Sequence, residues 1–446
     1  MQMEYDIEYK KREQLRDQIV AFSLQLNKQS DIPLWSIANE DVIYCAAINK
    51  PFQWSKKKKK IFFILDKAWR IYHGISDFIL FLFGMFTVVR IWIMLKKKLF
   101  LKRKSNTTIH SVFAGFGASS EEDLYDEFKK ENEDKFLRIN WVTHENEEKI
   151  GCPKLYAMLL LLAKCAFGHT TRLLNYNVLK PYRTDFLTVC ALNIGHYVFY
   201  QLYWRMARMR GIQSATFVAP AIPLHACIDT GIYTKFVQHG LLDSTVLIPT
   251  VNSALLLTDD EALYFRNNFN LGEIHRKSIA NMLDAPKKNI VFILSPEAFL
   301  RDRKKYLNAI IEWAKQTNLT IVFRPRPNAL NTELDALIKH YPFITLDDCK
   351  RPLNISLEML HPKFVFSWTS TGLATALEYG LLPISFCDPI KGEETDLNLS
   401  QLHTWHTIIY PMYKRVLFWT RDEDMIKLAL QSDSLYHSSI MALRNA

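Results

Sequence analysis

Two α/β domains, each a parallel sheet wrapped by helices, are predicted by three features of the sequence. Its 446 residues exceed one ordinary core and fit two domains of common size with an accessory segment. From residue 106 onward, short apolar runs alternate with helical patterns long enough to cross back over a sheet. The composition, 49% hydrophobic, 13% aromatic and 23% charged, supplies apolar material for packed cores and leaves little room for long disorder.

The chain opens on "MQMEYDIEYKKREQLRDQ", charged throughout, which reads as a polar helix and not as a secretory leader. From Phe78 to Leu95, "FILFLFGMFTVVRIWIML" is an eighteen-residue apolar stretch interrupted by Arg90. Eighteen residues is the lower limit for crossing a bilayer, and an arginine near the centre costs roughly 2.5–3.5 kcal/mol on insertion scales. An interfacial or re-entrant helix, a true span and a buried helix of the fold all remain open. Lys56 to Lys60 precede it; Lys96, Lys97, Lys98, Lys102, Arg103 and Lys104 follow it. These runs carry much of the net charge of +10 and favour an anionic cytoplasmic leaflet. No nucleic-acid-binding module accompanies them, so nucleic acid is not expected as a partner. Residues 1–105 are therefore set apart as a segment with a membrane-associating helix.

In residues 106–285, "TIHSVFAGFGASSEEDLYDEFKK" reads as strand, glycine turn, serine cap and helix, and "FLRINWV" as a second strand. "KLYAMLLLLAKCAF" and "DFLTVCALNIGHYVFYQLYWRMARMRG" are long apolar helices, and strands "SATFVA", "TKFVQ" and "SALLLT" follow, with "DDEALYFRNNF" as a helix. After the polar break "LDAPKKN", residues 286–420 repeat the grammar with strands "IVFILS", "TIVFRP", "FITLDD", "KFVFSW" and "LPISFCD" separated by helices. Residues 421–446 close as a C-terminal helix. Parallel strands joined by crossover helices make both domains Rossmann-like, and two such domains are expected to face one cleft at the carboxyl ends of their strands.

The seven cysteines form no CxxC pair and sit mostly in apolar contexts, so they read as reduced residues of a cytoplasmic protein. The sequence has no GxxxxGK[ST], no GxSxG and no zinc spacing, which argues against P-loop, acyl-enzyme and metal chemistry.

Residues at strand ends carry the chemistry. His239 follows "KFVQ" and precedes Gly240; an imidazole there can take a proton from a hydroxyl, or it simply closes a turn. "FRPRPN" leaves Arg324 and Arg326 at a strand end, to grip a phosphate or to pair with nearby acids. "SWTSTGLATALEYG" places Ser370, Thr371 and Gly372 between strand and helix, where hydroxyls and amides bind phosphate, although a plain N-cap needs only one of them. Glu122, in the acidic run after Gly115-Phe116-Gly117, and Asp229 in "CIDTGIY" are further candidate bases. Acidic residues are also what any first helical turn prefers.

"KFVQHGLL", "RPRPN" and "FSWTSTGLATALEYGLLPISF", in that order, resemble bacterial surface-polysaccharide glycosyltransferases of the GT-B fold over roughly residues 106–420. Among these the chain is similar to teichoic-acid-type glycerophosphate polymerases and to capsule and lipooligosaccharide sialyltransferase-like enzymes. The resemblance implies an active-site His-Gly at His239 and Gly240, and a phosphate-holding hydroxyl pair at Ser370 and Thr371. The family's His-Pro donor contact is replaced here by Arg324-Pro325, and its acidic-acidic-glycine motif is met only loosely by Asp229-Thr230-Gly231. The implied activity is inverting transfer from a nucleotide-activated sugar, a cytidine nucleotide for preference, without cofactor or metal, to a glycan or lipid-linked acceptor. The implied place is the cytoplasmic face of the inner membrane. A two-domain nucleotide-sugar epimerase and a non-catalytic membrane scaffold are the alternatives.

Overall fold

The computed structural model describes residues 54–101, 109–117, 121–132, 135–168, 182–219, 221–238, 250–257, 259–268, 271–276, 288–296, 299–300, 304–326, 332–368, 370–386 and 415–445, together with positions 7, 10, 14 and 21. Described residues from 54 to 276 belong to one compact unit and those from 288 to 445 to a second. The expected boundary at 285 and the polar helix expected before residue 40 fall outside the described residues, apart from those isolated positions.

The first unit is built on six parallel strands: β1 (Ser111–Gly115), β2 (Phe136–Asn140), β3 (Ser214–Phe217), β4 (Tyr233–Val237), β5 (Ser253–Leu256) and β6 (Glu273–Arg276), in the order β2-β1-β3-β4-β5-β6. Parallel strands need crossovers, and the alternation of strand and helix supplies them. The second unit repeats the design with β7 (Lys288–Leu294), β8 (Thr320–Arg324), β9 (Ile344–Leu346), β10 (Pro362–Ser367), β11 (Leu382–Ser385) and β12 (Leu417–Phe418), in the order β12-β11-β10-β7-β8-β9. Both Rossmann-like domains expected from the sequence are present. Strand β10, "PKFVFS", is buried at every position, as a central parallel strand covered on both faces must be. The short strands β6 and β12 were not legible: β6, "EIHR", has no apolar run, and β12 is two residues inside the four-residue run "VLFW".

The apolar N-terminal stretch is not a segment apart. A helix at Lys56–Ile71 is followed by one at His73–Leu101, and both pack against the long helix Arg183–Met209 of the first unit. Leu80, Val88, Ile91 and Leu95 form a stripe at helical spacing that is buried in the fold. The opposite face presents Phe78, Leu82, Phe86 and Ile93 to solvent; Phe86 is 69% exposed. The helix from Gly74 to Leu101 has the length and apolarity to cross a membrane, yet one side of it is core. Its neighbour Leu155–Ala166 adds exposed Tyr156 and Leu160, and Phe81 stacks on Phe167 at 5.5 Å.

The C-terminal helix is two helices, Trp419–Gln431 and Asp433–Asn445. Tyr436 fixes the second to the sheet, its hydroxyl donating to the Lys363 carbonyl at 2.7 Å and accepting from the Leu382 amide at 3.2 Å. Burial pushes the Cys190 and Cys227 thiols up to about 12, so neither is a ready thiolate at neutral pH.

Candidate functional site

Strand order decides where a ligand could sit. In the first sheet the chain leaves β1 for β2 and returns on the other side to β3; in the second it runs β7 to β8 to β9 and returns to β10. Loops that part in this way leave a crevice at the carboxyl ends of the two strands, between β1 and β3 and between β7 and β10.

At the first of these points the glycine turn is already filled. The Glu121 carboxylate is fully buried and accepts hydrogen bonds from the amides of Phe116, at 2.9 Å, and Gly117, at 3.1 Å. Those are the amides that would cradle a phosphate. A Cβ on Gly115 would stand 2.2 Å from Glu121 Oε2, so only glycine lets the carboxylate in. The adjacent Glu122 is taken by Arg138 in a two-point pair at 2.9 and 2.6 Å, and these hydrogen bonds hold its carboxyl below the usual carboxylate range. That makes it a weaker proton acceptor than a free glutamate, contrary to the expectation of a base.

Asp229 requires a larger correction. It is exposed in the 3-10 turn Ile228–Thr230 that leads into the amino end of β4, the edge of the sheet opposite the carboxyl ends. His239 and Gly240, just beyond β4, lie outside the described residues.

The second switch point gathers several of the strand-end residues singled out in the sequence. Ser295 follows β7 with a left-handed backbone, φ 53°, and its amide donates to the Arg324 carbonyl at 2.9 Å. Arg326 Nε reaches Ser295 Oγ at 3.3 Å. Ser370 follows β10, and its Oγ accepts the Gly372 amide at 3.1 Å where the helix Gly372–Glu378 begins. A Cβ on Gly372 would come within 2.6 Å of Leu294 Cδ1, so glycine seats that helix start, with half-buried Thr371 beside it, hard against the end of β7. Ser295, Arg326, Ser370, Thr371 and Gly372 therefore flank one crevice. Ser295 was missed because nothing in "ILSPE" announces a left-handed serine.

Arg324 does other work. Its guanidinium bonds Asp347, the Arg351 carbonyl and Ser356 Oγ, the last at 2.9 Å, and only 13% of its side chain is exposed. It ties the end of β8 to the segment after β9, which is the ion-pair alternative raised by the sequence.

A buried polar cluster lies beyond the carboxyl end of β2. His144 Nδ1 is 2.8 Å from Glu147 Oε2, and the Tyr200 hydroxyl donates to Glu147 Oε1 at 2.5 Å. Burial, then the Glu147 charge, keeps Tyr200 well above its ordinary value, so it stays a donor. The only signal in "WVTHENEE" is one histidine among acids. Among the described residues no group of three or more His, Cys, Asp or Glu side chains could hold a metal ion.

No protein-family model matches the chain, and no curated protein does. Among solved structures it is similar to the S. aureus MnaA-UDP co-structure, at 8% identity over 76% of this chain and 91% of that one, with a TM-score of 0.42. It is also similar to the crystal structure of Acinetobacter baumannii MurG, at 8% identity over 76% of this chain and 95% of that one, with a TM-score of 0.39. At this identity neither match bears on reaction or residues.

Proposed function

We propose that the protein is a membrane-associated, inverting glycosyltransferase of bacterial surface-polysaccharide synthesis that takes a nucleotide-activated sugar, with cytidine nucleotides favoured by the sequence resemblance. The observation that carries the reading is the β7–β10 switch point, where two serines, a threonine, an arginine and a helix start held close by Gly372 flank one crevice. Hydroxyls, amides and a guanidinium are the donor set a nucleotide phosphate needs, and they stabilise charge on the leaving phosphate without requiring a metal. Arg324 is left out of this set, because Asp347 and its neighbours use its donors.

A transferase is preferred to an epimerase because of the exposed apolar face. Phe78, Leu82, Phe86 and Ile93 face solvent between two lysine runs, and Lys56 to Lys60 occupy the first turns of their helix, the end where cations are disfavoured. An anionic bilayer surface rewards both features, and an enzyme of soluble sugar nucleotides has use for neither. The apolar face then lies in the cytoplasmic leaflet, beside a lipid-linked acceptor.

The test is a thermal-shift screen against CMP, CDP, UDP and GDP, with and without a divalent metal. A metal-independent rise with one nucleotide, reduced in Arg326→Ala, is expected. No rise with any of them would remove the reading and leave the scaffold.

A further inference from the structure

We propose that Arg90 and Lys97 seat the phosphates of membrane phospholipids, so that the helix His73–Leu101 lies along the bilayer surface and does not cross it. The inference rests on the membrane-association reading and on no step of sugar transfer. On the solvent side of that helix Phe86, Arg90, Ile93, Lys97 and Phe100 follow one another at alternating spacings of four and three residues, and all of them are exposed. Such spacings keep to one face of a helix, so apolar and cationic side chains alternate along a single stripe, roughly 21 Å long at a rise of 1.5 Å per residue. Toward the amino end the stripe continues as Leu82, Phe78 and Ile75, apolar throughout.

The stripe carries cations and no acid. Asp77, the one carboxylate of the helix, is 5% exposed and accepts the Gly168 amide at 2.9 Å, so it is turned into the fold. Among the described residues no carboxylate pairs with Arg90 or Lys97. Lys98 is engaged differently: it donates to the carbonyls of Thr143 and His144, at 3.5 and 2.8 Å, and braces the loop after β2. A face of this kind fits a partner that offers hydrocarbon and, at one level above it, anions. A phospholipid surface is such a partner. Long basic side chains lay their stems along apolar surface and lift the charge to the headgroups, and the guanidinium fork matches two phosphate oxygens at once. A second copy of the chain fits less well, because its own stripe would bring more cations to Arg90 and Lys97 and no carboxylate.

Orientation follows from the alternation. In a helix standing across the bilayer, Arg90 and Lys97, about 10 Å apart along the axis, would lie at two depths, and Arg90 would face hydrocarbon unpaired. With the axis in the plane of the surface both reach one layer of phosphates, while Phe86, Ile93 and Phe100 enter the acyl region between them. The other side of the helix is already occupied: Leu80, Val88, Ile91 and Leu95 are buried, and the helix packs on Arg183–Met209. Lipid can therefore cover one side of it and no more.

The test is flotation of the full chain with vesicles of phosphatidylcholine, alone or mixed with phosphatidylglycerol. It compares wild type, Arg90→Gln, Arg90→Lys and the double variant Arg90→Gln/Lys97→Gln. Arg90→Gln is expected to weaken binding to the mixed vesicles about fivefold and the double variant about 25-fold, with the melt unchanged because both side chains are exposed. Arg90→Lys should recover part of the loss, since it keeps the charge and lacks the fork. Alkaline carbonate should strip the wild type from the vesicles. Binding of Arg90→Gln within twofold of wild type, or protein that resists carbonate, would overturn the proposal. Displacement by inorganic phosphate at constant ionic strength would overturn it in favour of a free-anion site, and a dimer in solution that Phe86→Glu dissolves would overturn it in favour of a second copy. If the wild type floats with no vesicle, membrane association itself fails and the proposal falls with it; normal flotation of Arg90→Gln removes the phosphate seat alone.

Discussion

Gly84 and Gly195 meet where the apolar helix crosses the long helix Arg183–Met209. A Cβ on Gly195 would stand 2.7 Å from the Gly84 carbonyl oxygen and 2.6 Å from Thr87 Cβ, and a Cβ on Gly84 would stand 2.5 Å from Leu162 Cδ1. Backbone approaches backbone at this crossing, so the apolar helix is seated in the first unit along one side. Gly195→Leu should cost about 1–3 kcal/mol through overpacking, read as a lower urea midpoint. An unchanged midpoint would show that the two helices are not seated as described.

The two arginines of "RPRP" should separate cleanly. Arg324→Ala removes the closer of two arginines from the buried Asp347, leaving Arg351 at 3.5 Å, and should lower stability by about 3 kcal/mol, with Lys a poor replacement for a fork that bonds four partners. Arg326 is exposed, and Arg326→Ala should leave the melt within about 0.5 kcal/mol of wild type while weakening nucleotide binding about tenfold, a loss of about 1.4 kcal/mol. Denaturant melts and nucleotide titrations on both variants check this, and a destabilised Arg326→Ala with normal binding would contradict it.

Membrane association should depend on the exposed face alone. Phe86→Glu and Leu160→Glu alter side chains that are 69% and 68% exposed, so they should leave the melt near that of wild type. Together they should abolish flotation with vesicles containing anionic lipid, and neutral vesicles should bind wild type less well. Retention of the double variant on vesicles would mean that another surface docks.

Stability should fall in mild acid because of His196. Its folded value, lowered to about 4 by burial first and by His144 and Arg90 second, lies below the ordinary 6.5. The unfolded chain therefore binds the proton first as pH drops, so the stabilisation is complete above 6.5 and is lost between 6.5 and about 4, up to about 3 kcal/mol in all. Urea midpoints of wild type and His196→Gln across that interval should converge toward the acid end. Parallel curves would show that His196 does not titrate in this way.

Much of the architecture was legible because period and punctuation agree: "IVFIL", "TIVFR" and "KFVFS" are apolar runs of strand length, each closed by a polar residue or a proline. Ser370 and Gly372 were legible for the same reason, since they stand between a strand and a helix. What sequence could not supply was partnership at a distance. Arg324 reads as a phosphate ligand until Asp347, Ser356 and the Arg351 carbonyl are folded onto it. Asp229 reads as a site residue until the short helix Ile222–Cys227 carries the chain back to the amino edge of the sheet. The apolar stretch around Arg90 offered three readings because a two-faced helix and a spanning one share a composition; that one side of it packs on the helix Arg183–Met209 at Gly84 and Gly195, far apart in sequence, could be seen only in the fold.

Glu121 gives the first unit its own internal anion. With that carboxylate seated on the Phe116 and Gly117 amides, a phosphate arriving at the β1 turn would have to displace a group that is covalently part of the chain and always present. The two halves of the molecule, alike in topology, are thereby made unlike in chemistry: the turn after β1 carries a carboxylate of its own, and the end of β7 carries Ser295 and Arg326 in its place. On the proposed transferase reading, the released nucleotide should therefore compete with the donor alone, and its inhibition should follow a single saturable term.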